Sequence, residues 1–200
     1  MHSHKHFLIG AVVVIAAAVT AAAALGTTAG ASSRTVAAKH VPKGDELKLD
    51  LTPSSAQLAA CMPNAQLSVR VNLTGEERGF DRLQISARDL PPNRDYTIFL
   101  LQQAGAPFGA AEYIGDFSTD DHGNAENNLK LIVQEAFAST VVNGTRTRVD
   151  LNRIGVWFAD PAEDDFCLGT NGGATTPFDG DNSAGVQAFN SAGADPLPAP

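Results

Sequence analysis

The chain is poor in the residues that most catalytic and metal chemistry needs. Its 200 residues hold two cysteines, Cys61 and Cys167. That leaves no multi-cysteine zinc set, and no spare thiol if the two pair with each other. Of five histidines, His2, His4 and His6 precede an N-terminal apolar run and would leave with it on cleavage. His40 and His122 remain, which argues against zinc catalysis built on several imidazoles. One Trp and two Tyr are few for the aromatic-lined cleft expected around a glycosidase carboxylate pair. No Gly-x-Ser-x-Gly elbow occurs, so a hydrolase of that kind is not indicated. A carboxylate-dependent hydrolase is the most distant of the functions considered. Positive charge is also missing from one end. No Lys or Arg follows Arg153, whereas Asp160, Glu163, Asp164, Asp165, Asp179, Asp181 and Asp195 do, and the chain carries a formal charge of -8. That balance argues against a nucleic-acid partner, which needs a basic footprint, and against an anionic membrane surface.

What the sequence does contain begins with export. Lys5 precedes an almost wholly apolar stretch over 7–25, and Ala29-Gly30-Ala31 supplies the small-x-small pattern of a cleavage site. Residues 1–31 are therefore read as a signal peptide, with an uncleaved membrane anchor as the alternative. In an exported chain an even cysteine count reads as a disulfide, here Cys61–Cys167. The expected location is secreted or extracellular.

Residues 32–44 show no periodicity and are read as a flexible lead-in. Strand signals then follow in series across a domain placed at 45–168. In "ELKLDL", "LSVRVNL" and "RLQISA" apolar and polar residues alternate, the mark of antiparallel strands with one wet face. "YTIFLL" is apolar on both faces and suits a central strand, entered through the turn Leu90-Pro91-Pro92-Asn93. "EYIGDFST" and "AENNLKLIV" flank "DDHGN", where Gly123 offers the positive φ of a hairpin turn and His122 sits at a solvated tip. "QEAF" is read as a helical turn. Val149 and Leu151 are out of phase with Ile154, Val156 and Phe158, which predicts a bulge near Asn152 and Arg153 in one strand buried on both sides. About seven strands imply a mainly β fold: an immunoglobulin-like antiparallel β-sandwich with two short helical turns. An open barrel is the alternative. Residues 169–200 are read as a long irregular acidic tail, pinned by Phe178 and Phe189 and disordered at "DPLPAP".

"DLPPNRDYTIFLLQ" and "GDFSTDDHGNA" together resemble the extracytoplasmic sandwich of anti-sigma-K-type regulators: a Leu-Pro turn, a strand opening on Tyr, then Gly-x-Phe, Asp and Gly at a hairpin. The resemblance covers 89–131. It implies the sandwich fold and does not carry sigma-factor binding across. Those regulators have a cytoplasmic domain before their membrane helix, and only His6 and the five residues before it precede the apolar run here.

Two clusters are candidate sites. In "FADPAEDDFC", Asp160 at the N-cap, Pro161 at N1 and Glu163 at N3 spell a helix start. Asp164 and Asp165 are then left as solvated carboxylates, with Phe166 and Cys167 returning to the core. Ser54 and Gln57 spell a second capping box, ahead of a short helix carrying Cys61. In "DGDNSAG", Asp179, Asp181 and Ser183 alternate as calcium ligands do, with Asp164 or Asp165 available to complete a loop. The EF-hand pattern fails, because Ala184 stands at the turn-glycine position and Asn190 at the bidentate-glutamate position. Asn72-Leu73-Thr74 and Asn143-Gly144-Thr145 match the glycosylation sequon and are read as incidental. The expected function is a non-catalytic binding or structural module with a protein or cell-envelope ligand and no cofactor. A calcium-stabilised binding domain is the alternative.

Overall fold

A computed structural model describes residues 46–74, 79–133, 136–170, 172–176 and 183–198. The fold is mainly β, as the alternation predicts. The strands are β1 (Glu46–Pro53), β2 (Gln66–Asn72), β3 (Asp81–Arg88), β4 (Asp95–Leu101), β5 (Ala111–Ser118), β6 (Ala125–Leu131), β7 (Phe137–Val142), β8 (Thr145–Asp150), β9 (Arg153–Phe158) and β10 (Gln187–Asn190). Two short helices, α1 (Ala56–Cys61) and α2 (Asp165–Leu168), accompany them, the second led by a 3-10 turn at Pro161–Asp164.

Eight strands form one curled antiparallel sheet in the order β5-β4-β9-β10-β1-β2-β3-β6. It works as two halves joined through β1. Residues Glu46 to Leu51 of β1 pair with β2, and then Thr52 and Pro53 pair with β10. The inner faces of the halves meet in one core. Leu49, Val69, Val71, Leu83 and Ile85 from one half face Ile98, Leu100, Val156, Phe158 and Phe189 from the other, all buried. Tyr96 stacks on Phe117 at 5.0 Å and leans on Phe158 at 5.2 Å. Strand β4 is central and buried on both faces, as expected. Trp157 of β9 lies outside the main core, edge-on to Phe99 at 5.2 Å and Phe108 at 5.0 Å.

Several local expectations need correction. β5 and β6 are joined by a tight turn but are not a hairpin: β5 pairs with β4, β6 with β3, and the turn crosses between the halves. Gly123 is required there twice over, by its φ of +76° and because a Cβ would lie 1.9 Å from the Leu90 carbonyl oxygen. The phase slip at Asn152 and Arg153 is not a bulge. It marks the boundary between β8, which pairs only with β7, and β9, which pairs with β4 and β10. Asn143-Gly144, read from the sequence only as part of a sequon, is the turn of the β7–β8 ribbon, with both residues at positive φ.

The tail is not irregular throughout. Residues 187–190 form β10, inserted between β9 and β1 with all four residues buried. Phe189 is the buried pin the sequence suggests; Phe178 lies outside the described residues. Leu197, within "DPLPAP", is also buried, and its N–H donates to the Asn152 carbonyl at 2.8 Å. Gln134 and Glu135 of "QEAF" lie outside the described residues, as do 1–45 and with them the signal-peptide and lead-in readings.

Cys61 of α1 and Cys167 of α2 are joined in a disulfide, with Cα atoms 5.7 Å apart. The α1 cap is displaced by one residue from the expected Ser54. Ser55 Oγ accepts from the Leu58 N–H at 3.2 Å. Ser54 donates instead to the Gln187 carbonyl, which ties α1 to β10. Gln57 likewise donates to the Cys167 carbonyl, at 3.4 Å.

Candidate functional site

Of the four carboxylates that follow Phe158, three have distinct tasks. Asp160 is the N-cap, accepting from the Ala162 N–H at 2.8 Å, as the capping signature requires. Glu163 pairs with Arg94, Oε2 to Nη1 at 2.7 Å, and the same guanidinium lies 5.3 Å above the Phe166 ring. Phe166 is 42% exposed rather than returned to the core, because it serves as the outer layer of this pair and packs edge-on against Phe158. Burial, with Glu163 nearby, pushes the Tyr96 phenol beneath this pair above its usual range, against the pull of Arg94.

Asp164 departs most from its expected role. It is 1% exposed, not solvated. Its Oδ2 accepts from the Val186 N–H at 3.1 Å. Gly173 and Gly185 press against the carboxylate so closely that a Cβ at either would come within 2.6 or 2.8 Å of Oδ2. Burial raises its carboxyl pKa; the Val186 N–H opposes the shift and Asp165 adds to it. Asp164 thus fastens the segment before β10 to the end of β9. Asp165 is half-buried at the start of α2, and Ser183 is half-buried beside the Thr176–Ala184 bridge. Asp179 and Asp181 lie outside the described residues, so the proposed calcium set is not seen assembled.

Among the described residues, Asp120, Asp121 and His122 do bring metal-ligating atoms together, within 4.8 Å and all exposed. The geometry is that of a turn. Asp120 Oδ1 accepts from the Asn124 and His122 N–H groups at 2.8 Å each, and these bonds hold its carboxyl below the ordinary range. His122 Nδ1 meets Asp121 at 2.6 Å with both side chains 76% exposed, the solvated tip the sequence suggests.

A hollow lies elsewhere, on the outer face of β1-β2-β3-β6. It encloses about 630 Å³ and reaches Ser68, Arg70, Gln84, Ser86, Arg88 and Glu126. Period-2 alternation builds this face: as Leu49, Val69, Ile85 and their neighbours turn inward, every second residue turns out. Register then sets those residues in rows across the sheet. One row is Glu46, Asn72, Arg82 and Lys130, and the next is Lys48, Arg70, Gln84 and Asn128. A third is Asp50, Ser68, Ser86 and Glu126, and Gln66 faces Arg88 beyond it. Within the lattice Arg70 meets Glu46 at 3.0 Å and Lys48 meets Asp50 at 3.2 Å. Lys130 lies 5.2 Å above the Phe80 ring.

No motif in the sequence marks this face. Its signal was the wet side of each alternating strand, which in isolation reads as ordinary solvation. A comparison with known protein families finds no match for the chain, and a comparison with curated proteins finds none either.

Proposed function

We propose that the chain is an extracytoplasmic, non-catalytic binding module whose ligand lies on the outer face of β1-β2-β3-β6. One observation carries the reading: a hollow of about 630 Å³ sits on a continuous polar lattice of four paired strands. Such a face presents many hydrogen-bonding groups on rigid elements, and a rigid scaffold lowers the ordering cost of binding. The remaining carboxylates near β9 are engaged in capping, pairing and fastening. The extracytoplasmic part of the proposal draws on the Cys61–Cys167 disulfide, which belongs to a non-reducing compartment, and on the signal-peptide pattern at 1–31. No helix among the described residues is long and apolar enough to cross a membrane.

The test is titration of the protein with fractionated cell-surface material, followed by recovery of whatever binds. Saturable, stoichiometric binding with the ligand recovered chemically unchanged is the expected result. Progressive cleavage or modification of the ligand would replace the binding module with an enzyme.

A further inference from the structure

The same outer face has a charge that the rest of the chain does not share. Among the described residues, five cations stand on it, Lys48, Arg70, Arg82, Arg88 and Lys130, against three acids, Glu46, Asp50 and Glu126. A chain of net charge -8 thus gathers a positive surface on one half of its sandwich. Register sharpens the point. Lys48 is directly opposite Arg70, and Arg82 directly opposite Lys130. Like charges placed opposite each other weaken a sheet, and an acidic protein could relieve both pairs with a single carboxylate each. Lys48 and Arg70 turn aside to Asp50 and Glu46. Arg82 and Arg88 are exposed and have no ion-pair partner among the described residues.

We infer that this face binds an anionic polysaccharide. The inference rests on the binding-module reading and names its ligand class. Guanidinium groups such as those of Arg82 and Arg88 grip carboxylates through paired, charge-assisted hydrogen bonds. Ser68, Ser86, Gln84 and Asn128 between the charges both donate and accept, which suits sugar hydroxyls. None of the outward residues of the four strands is aliphatic or aromatic. That disfavours an acidic protein segment, whose interfaces centre on apolar anchors. It also disfavours single-stranded nucleic acid, which is held by aromatic stacking. The rows run across the strands, a direction that an extended chain could follow.

The test uses the full chain and polygalacturonate, followed by calorimetry at low and moderate salt. Binding should saturate and weaken as salt rises. Reversing two charges of the face together, Arg82→Glu with Arg88→Glu, should weaken it roughly tenfold or more. Glu126→Lys, which removes an acid from the face, should tighten it. Arg146→Glu, a single charge reversal of the same kind on the β7–β8 ribbon, should leave it unchanged. Neutral dextran should not bind, and polyglutamate should bind more weakly. The inference fails if Arg146→Glu weakens binding as much as the double variant, if dextran matches polygalacturonate, or if polyglutamate binds as tightly. If polygalacturonate is silent while cell-surface fractions still bind, only the ligand class is overturned. If both are silent, the binding-module reading falls as well.

Discussion

Removing the Cys61–Cys167 bridge should cost a large share of the stability of the fold, and the structure sets the scale. The two residues are 106 apart in sequence, so the bridge closes most of the domain into one loop. The loop-closure entropy removed from the unfolded chain corresponds to about 4.8 kcal/mol at that separation. Measured losses for native bridges fall at roughly 2–5 kcal/mol, against roughly 5–15 kcal/mol of total stability for a typical domain. The double variant Cys61→Ala with Cys167→Ala should therefore remain folded but lie near the edge. For a domain of this size each kcal/mol is worth roughly 2–4 °C, which places the drop in Tm at roughly 4–20 °C. Because the effect acts mainly on the unfolded state, near-ultraviolet circular dichroism of the native protein should barely change. The denaturant dependence should steepen, since the uncrosslinked chain exposes more surface on unfolding. A loss below about 1 kcal/mol would refute the reasoning, because loop closure on this scale cannot be so cheap. Two alkylatable thiols in protein folded under oxidising conditions would refute the bridge itself.

Three further outcomes follow from buried groups. Asp81 accepts the Thr74 N–H on one carboxylate oxygen and the Val133 N–H on the other, at 2.9 Å each. Asp81→Asn replaces one acceptor with a donor and should cost roughly 1–3 kcal/mol in chemical denaturation; a change indistinguishable from zero would show that both bonds are dispensable. Gly155→Ala would put a methyl group 2.4 Å from the Trp157 ring and 2.6 Å from Leu101 Cδ1. It should destabilise by roughly 1–3 kcal/mol through overpacking and shift the fluorescence of Trp157, the only Trp in the chain; an unchanged spectrum and melt would contradict the packing. For Asp164, burial raises the folded pKa above the unfolded value near 3.9, so the native state binds the proton more tightly. Its contribution is fully present below the unfolded pKa and is lost as pH rises through the raised folded pKa. The melting temperature of the wild type relative to Asp164→Asn should therefore fall as pH rises across that window, and a gap that stays constant or widens in favour of the wild type would contradict the burial.

Strands β1, β2 and β3 are legible because each alternates strictly, and β4 because it is one apolar run; both are local properties. Strand β10 is not, since Gln187, Ala188, Phe189 and Asn190 are all buried and show no alternation. The two amides are accommodated by partners far along the chain or at the same strand. Gln187 Nε2 donates to the Ala104 carbonyl at 2.9 Å, and Asn190 Nδ2 to Gln187 Oε1 at 3.2 Å. The β7–β8 ribbon carried a usable signal in Asn143-Gly144, a dipeptide that favours the hairpin turn it forms. The capping role of Asp160 was readable because it depends on the next three residues. The burial of Asp164 was not, because the glycines that enclose it, Gly173 and Gly185, arrive later in the chain. The polar face was half legible. Each strand shows its wet side, but placing Arg82 beside Lys130 requires a register between distant segments.

The central claim is that the outer face of β1-β2-β3-β6 is where this protein meets its ligand. The most direct measurement is backbone amide chemical-shift mapping of isotopically labelled protein during titration with polygalacturonate. The account predicts saturable shifts confined to the rows that run from Glu46 to Lys130, from Lys48 to Asn128 and from Asp50 to Glu126, with the β7–β8 ribbon and the Asp120–His122 turn unmoved. Saturable shifts centred on the ribbon or on that turn, with the four-stranded face silent, would contradict it.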